Sequence, residues 1–492
     1  MTIEKLPPVR TTLRHSDHPY LTGAWTPLHE EVTACDLVVI EGTVPKDLDG
    51  VYLRNTENQI HQPLGRYHPF DGDGMIHQID FRRGQVSYRN RFVRTRCMAA
   101  EQEAAGSLWG GLMDPPGTSL RPGFGAHGAL KDSSSTDITV HAGVALSTFY
   151  QCGEAYCLDP ETLDSLGVAS WAPLDGVSAH PKVDPNTDEL MFFNYSKHAP
   201  YMHYGVVDRD RRLVTYTPIP LPGPRLPHDM AVTTRYSILN DLPAFWDLDL
   251  LKSNVHAVRM HDLPSRFGII PRHGRAEELR WFEAEPTYVL HFLNAYELGD
   301  EIVMDGYFQE NPTPRPSKDA PAGYSQMMAY LDEYSFRSRL HRWRFDLRTG
   351  KTHEEPLDDR VLEFGMINQQ FTGVQNRYVY SSKAKPGWFL FTGFVKHDLA
   401  TGRSWQIELE PGQYASEAPF APRLGAKEED DGYLVSFVTD ENTGTSHCIV
   451  IDAKRIEDGP VCRIALPHKI CSGTHAHWAG RPLRRATDPC NR

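Results

Sequence analysis

Short runs of alternating hydrophobic and polar residues recur along the whole chain, each closed by a cluster of Asp, Gly, Pro or Asn. Period-two alternation marks a strand with one packed face, and the punctuating residues supply turn geometry. One unit repeats: an apolar run, an Asp, a turn, then a second short run. It occurs as "MIHQIDFRRGQVSYR" around Asp80, "AYCLDPETLDSLG" around Asp159 and "YGVVDRDRRLVTY" around Asp208. It returns as "RWRFDLRTGKTHEE" around Asp346, "FVKHDLATGRSWQIEL" around Asp398 and "CIVIDAKRIEDGP" around Asp452. Each unit reads as an antiparallel hairpin. The interval is 49 residues from Asp159 to Asp208, 52 from Asp346 to Asp398 and 54 from Asp398 to Asp452. A period of this length with several strand-like runs predicts an all-β chain folded as a β-propeller, whose blades bury their faces against one another. The longer gaps, Asp80 to Asp159 and Asp208 to Asp346, hold further blades or insertions.

Two segments break the pattern. Residues 99–127, "AAEQEAAGSLWGGLMDPPGTSLRPGFGAH", open with helix formers and end as a Pro/Gly-rich loop; residues 240–263, with "LPAFWDLDLL", are apolar and predicted helical. Both are expected to cap one face. Nothing rich enough in Gly/Ser or charge divides the chain, so residues 1–492 read as a single domain.

Composition then excludes several classes. The net charge is −13 and no Lys/Arg-rich run interleaves with aromatics, which argues against nucleic acid as a partner. No stretch approaches a membrane span, and "MTIEKLPPVRTTLRHSDHPY" has no apolar signal region, so a soluble, cytoplasmic protein is expected. Eight cysteines without a CxxC pair are too sparse for a disulfide scaffold and read as reduced thiols.

Histidine is abundant, with 23 residues. Four stand at or beside strand-like runs: His180 in "VSAHPKVDP", His228 in "PHDMAVTTRYSIL", His291 in "YVLHFLNAYE" and His475 in "SGTHAHW". Wide separation in sequence is what an axial metal in a propeller requires, because its ligands must come from different blades. Neutral imidazoles suit a divalent first-row metal. His477, in phase with His475, and His261, in "RMHDLPSRFG", are the rival histidines; His261 lacks the strand-like run that follows His228.

With "GVYLRNTENQ", "HPFDGDGMIH", "EFGMIN", "SEAPFAP" and "EDDGYLVSFV" added in order, the chain resembles the carotenoid cleavage oxygenases, a family that includes the lignostilbene dioxygenases. The resemblance covers nearly the whole length. It implies a seven-bladed β-propeller with a helical and loop cap over an axial metal site, Fe(II) held by His180, His228, His291 and His475, and oxidative cleavage of a C=C bond with O₂. The implied substrate is a carotenoid or apocarotenoid, or an aryl alkene such as a stilbenoid or phenylpropenoid. Retinoid-type isomerohydrolase chemistry and a non-catalytic interaction module are the alternatives.

The family holds three of its histidines through glutamates, and Glu363 and Glu417 match two of these. At the third position the chain reads "STFYQCGEAYCLDP", so Tyr150 or Gln151 takes the place of a carboxylate, with Glu154 a more remote substitute. The Lys and Tyr that hold a substrate phenolate in lignostilbene-cleaving members are not evident; Phe149 or Tyr150 and Met98 stand there. Met98, Phe149 and Trp109 are accordingly the expected substrate contacts. Leu108, Trp109, Leu112 and Met113 line either a tunnel mouth or core, and the apolar cap is a place for peripheral membrane contact. Near the start, Gly72 and Gly74 in "PFDGDGM" are expected to supply positive φ in a tight turn, a structural reading preferred over a calcium loop at Asp71 and Asp73. Arg54 and Asn55 are expected to tie strands together.

Overall fold

The computed structural model describes residues 1–121, 130–247, 249 and 258–481. Its strands pair as antiparallel meanders. Asp137–His141, Val144–Thr148, Tyr156–Leu158 and Ser165–Val168 form one, and the strands from Lys182–Val183 to Leu213–Pro220 form the next. Ala231–Val232, Tyr236–Asp241, Ser265–Pro271 and Arg280–Ala284 form a third, and Phe292–Leu298 through Thr352–Pro356 a fourth. In a ten-stranded sheet, Gln413–Ala415 joins two more meanders, which begin at Leu362–Met366 and Phe420–Pro422. A clasp between the two ends of the chain completes the circuit. Gly473–Gly480 pairs with Gly50–Asn58, and Val39–Gly42 pairs with Pro460–Ala465.

The core is not one mass but a series of apolar layers, each between consecutive meanders. Phe267, Phe282, Phe292, Trp343 and Phe345 fill one such layer. Met191, Tyr204, Leu239 and Ile270 fill the preceding one. The last meander packs on the clasp sheet, in which Gly50–Asn58, Asp73–Arg82 and Gln85–Phe92 pair in turn, through Phe437, Val450, Tyr52 and Tyr88. This circular packing is the β-propeller solution to sheets with two apolar faces.

The repeated aspartates Asp159, Asp208, Asp346, Asp398 and Asp452 sit at the outer hairpins of five meanders. Asp159 accepts N–H bonds from Glu161 and Thr162, Asp208 from Asp210 and Arg212, Asp346 from Arg348 and Thr349, and Asp452 from Lys454. The carboxylate thus closes the turn on its own backbone. Asp80 departs from the expectation. It lies within the strand Asp73–Arg82 and is buried against Arg82 and Arg481, the turn following two residues later.

Other expectations are corrected too. Gly72 has φ −64° and ψ 150°, and Gly74 also lacks a positive φ. Both positions need glycine for close approach instead: a Cβ on Gly72 would lie 2.7 Å from the Asn58 nitrogen, and one on Gly74 would lie 2.2 Å from the Ser134 oxygen. Asp71 closes a capping box with His68 and accepts the Leu112 N–H, while Asp73 pairs with Lys131 at 2.7 Å. Arg54 bonds the Cys471 carbonyl, and Asn55 bridges to Ser134, Asp137 and Ser147.

In the first cap segment a helix does form, Arg96–Ala104, capped by Thr95 and anchored through Glu101 to Lys131 at 2.8 Å. In the second, Ala244–Trp246 pairs with Val258–Met260, so these two stretches are strand where helix was expected, while Asp249 between them is helical. Pro243 and the β-forming Phe245, Trp246 and Val258 favour extended backbone there. Residues 122–127, 248 and 250–257 of these segments, and 482–492 of the expected domain, lie outside the described residues. Among the described residues the cysteines are free, and no helix is long and apolar enough to cross a membrane.

Candidate metal centre and its cavity

The first strands of three meanders and the clasp strand deliver the four histidines. His180 precedes Lys182–Val183, His228 precedes Ala231–Val232, His291 directly precedes Phe292–Leu298, and His475 lies within Gly473–Gly480. Their ligating nitrogens all fall within 4.8 Å of one another. The Nε2 atoms of His180 and His228 face each other at 3.2 Å, and His291 Nε2 is buried without a hydrogen-bond partner. Four imidazoles converging in this way have the arrangement of a metal site.

Local backbone and polar ties fix this convergence. His180 adopts a left-handed φ of 65° while its N–H donates to Asp137 at 3.1 Å. Such a φ is uncommon in a residue with a Cβ and is held here by the surrounding contacts. Asp229 accepts the Phe292 N–H at 2.8 Å and pairs with Lys182 at 2.7 Å, so a single buried carboxylate joins the strands of three ligands. Phe364, with φ 49°, stacks on the His475 ring at 4.8 Å and meets His291 edge-on at 4.6 Å.

Glu363 and Glu417 hold the outer nitrogens. His291 Nδ1 lies 2.6 Å from Glu363, whose carboxylate also accepts the Phe364 N–H at 2.7 Å. His475 Nδ1 lies 3.3 Å from Glu417, which accepts the Ala476 N–H at 2.7 Å. A carboxylate on the outer nitrogen sets the tautomer that leaves the inner nitrogen free to ligate. Burial and the neighbouring imidazoles hold His180 and His291 well below the ordinary histidine range, and the same causes with the Lys182 charge bring His228 to about 3. For His475, burial lowers the value, but the Glu417 carboxylate outweighs it and the net direction is upward.

His228 differs. Among the described residues no hydrogen bond reaches its Nδ1; the Tyr150 ring lies beside it at 5.7 Å between centroids, and Gln151 faces the cavity. Glu154 is committed elsewhere, to the Tyr156 hydroxyl at 2.6 Å and to Arg96 at 3.2 Å. The rival histidines are also committed elsewhere: His261 packs on Phe245, and His477 Nδ1 lies 3.4 Å from the Gln369 amide.

A cavity of about 530 Å³ opens over the cluster, with His228, His291 and His475 in its wall. Phe70, Leu112, Met113, Tyr288, Met327 and Phe389 make it predominantly apolar, and among the described residues no lysine lines it. The expected substrate contacts lie elsewhere. Met98 packs with Ile60, Met75 and Phe92, and Phe149 with Leu130, both in cores. Trp109 lines a small separate pocket beside Asp71 and Lys131. Strand alternation and helix phase turn these side chains inward, away from the cavity, whereas Leu112 and Met113 reach it. One wall escaped the sequence pattern altogether: residues 310–337, far longer than a hairpin turn, contribute Met327, Leu331, Glu333 and Phe336. That excess length between two paired strands is the signal that could have pointed to it.

A β-propeller with four clustered histidines under an apolar cavity defines a class of metal-dependent enzyme. The chain matches the retinal pigment epithelial membrane protein (RPE65) family model over residues 25–480 and belongs to that family, which includes the carotenoid cleavage oxygenases. It is 33% identical to the carotenoid 9,10(9′,10′)-cleavage dioxygenase 1 of Pisum sativum, over 94% of this chain and 90% of that one. It is 30% identical to the isoeugenol monooxygenase of Pseudomonas nitroreducens, over 94% and 98%. The lignostilbene dioxygenase of Pseudomonas brassicacearum superposes with a TM-score of 0.82 at 25% identity, covering 95% of this chain and 100% of that one.

Proposed function

We propose that the protein is an Fe(II)-dependent oxygenase that cleaves a C=C bond of an apolar carotenoid, apocarotenoid or aryl alkene with O₂, giving two carbonyl products. The observation that carries this reading is the convergence of His180, His228, His291 and His475 on one point at the floor of an apolar cavity. The donor set fits the metal: four neutral nitrogens, one of them buried with no other partner. When bound, iron would supply a centre able to take O₂ and pass electron density to it.

The chain's own residues do the rest. Glu363 and Glu417 fix two imidazoles in the ligating tautomer and offset the metal's charge. Phe364 wedges His291 against His475 and keeps their planes apart. The apolar wall positions the alkene and excludes water, so no general base is assigned. At His228 a phenol and an amide stand where a carboxylate would add negative charge, which makes this centre one formal charge more positive.

The relatives named above carry oxygenase names, which favours this reading over an isomerohydrolase or a non-catalytic module. We also read the meanders as seven blades, with two in the ten-stranded sheet. The proposal includes a cytoplasmic location, with peripheral membrane contact through the apolar cap. Metal analysis after anaerobic Fe(II) loading, combined with O₂ uptake on an added alkene, tests it. Stoichiometric iron and alkene-dependent uptake are expected; protein with no affinity for Fe(II) would overturn the reading.

A further inference from the structure

The apolar cavity holds two polar side chains that have no partner. Glu333, 2% exposed, opens a four-residue helix, Glu333–Phe336, and its Oε2 is buried with no hydrogen bond. Gln309, 1% exposed, ends the strand Glu301–Gln309, and both its Oε1 and its Nε2 are buried and unpaired. Both residues line the cavity. Leaving such groups unpaired is costly, so buried polar atoms that find no protein partner are expected to find one in a ligand or water.

The two residues are neighbours through the fold. Gln309 pairs in register with Ser338, just beyond the Glu333 helix, and the Asn311 N–H donates to the Phe336 carbonyl at 2.9 Å. On the same strand, the Tyr307 N–H donates to the His291 carbonyl at 3.1 Å. No cation stands beside Glu333, and burial, then Asp332, pushes its carboxyl up to about 8.

We infer that Glu333 and Gln309 form a polar anchor for an uncharged hydroxyl on the alkene substrate, making the enzyme selective for hydroxylated alkenes. The donor and acceptor inventory selects the hydroxyl. It donates one hydrogen bond and accepts others, so it can serve the Gln309 oxygen, the Gln309 nitrogen and a protonated Glu333 carboxyl alike. A ketone accepts only and leaves the Gln309 oxygen orphaned. A carboxylate or phenolate adds a negative charge beside Glu333, and Arg66, the cation in that wall, is exposed and donates to the Met113 carbonyl. This inference rests on the oxygenase reading for the alkene, but its site stands on the unpaired atoms.

Binding to the iron-loaded protein under nitrogen, read by tryptophan-fluorescence quenching, tests it with matched probes: para-hydroxystilbene against para-methylstilbene, and an apocarotenal with and without a ring hydroxyl. At least one hydroxylated probe is expected to bind about tenfold or more tightly than its partner. In Glu333→Leu and Gln309→Leu that preference should collapse to about twofold or less, with the unhydroxylated probe unaffected. Should those variants fail to fold or hold iron, Glu333→Gln takes their place and is expected to weaken the preference without abolishing it. Equal binding of both members of each pair by the wild type would overturn the inference, as would failure of every hydroxylated probe to bind. Admitting air separates the two claims: preference without cleavage would count against the oxygenase reading alone, and equal binding with cleavage of both members against the anchor alone.

Discussion

Replacing Glu363 by Gln tests how the metal site is held. The side chain is fully buried, lies 2.6 Å from His291 Nδ1 and accepts the Phe364 N–H. Glutamine is isosteric and retains an acceptor oxygen, so the change removes charge and little else. A hydrogen bond to a charged group contributes about 1.5–3 kcal/mol and a neutral one about 0.5–1.5. The substitution therefore forfeits about 1–1.5 kcal/mol of metal binding, close to a tenfold loss of affinity. At Glu417 the contact to His475 is longer, 3.3 Å, and less is at stake. Glu417→Gln should cost only severalfold, and His477→Ala, whose ring contacts Gln369 and no ligand, nothing. Anaerobic competition of Fe(II) or Co(II) between the protein and a chromophoric chelator measures all three. An unchanged affinity in Glu363→Gln, or a larger loss in Glu417→Gln than in Glu363→Gln, would refute the claim that these carboxylates set the ligands' geometry and charge.

The fold supports further predictions. Trp343 is fully buried in the layer between two meanders, and Trp343→Ala should cost about 3–5 kcal/mol in denaturant unfolding. Gly74→Ala drives a methyl into the Ser134 carbonyl and should cost about 1–3 kcal/mol, although its φ is ordinary. His447 and His468 are held at about 4, chiefly by burial, with the Arg463 charge also acting on His447. Between pH 4 and the unfolded value near 6.5 the folded protein binds fewer protons, so stability rises with pH there, by up to about 1.4 kcal/mol per unit for each histidine. Thermal unfolding from pH 4.5 to 7 should show this rise, and it should be shallower in His468→Gln.

Much of the fold and site is written locally. The aspartates are legible because each closes its own turn with its own backbone, so the turn is encoded within a few residues. The histidines are legible because each stands at the start of a strand-like run, and the ring of meanders brings those starts together. What the pattern misses depends on distant partners. Gly72 and Gly74 are required by Asn58 and Ser134, so a local reading mistakes their purpose. Phe245 and Trp246 look equally at home in an apolar helix, and only pairing with Val258–Met260 makes them strand. Met98 and Phe149 sit at the expected places in sequence, but the direction of each side chain is settled by packing against Met75 and Leu130. Gln309 and Glu333 become a pair only because a long loop leaves and rejoins adjacent strands.

Mass spectrometry of the products formed in air by the iron-loaded protein tests the central claim most directly. Given a panel of apocarotenals, stilbenes and propenylphenols, the account predicts a pair of carbonyl fragments whose masses sum to one alkene plus O₂, and no such pair from His291→Ala. Alkenes that all return intact from iron-loaded wild-type protein, or fragments that form equally well with His291→Ala, would contradict it.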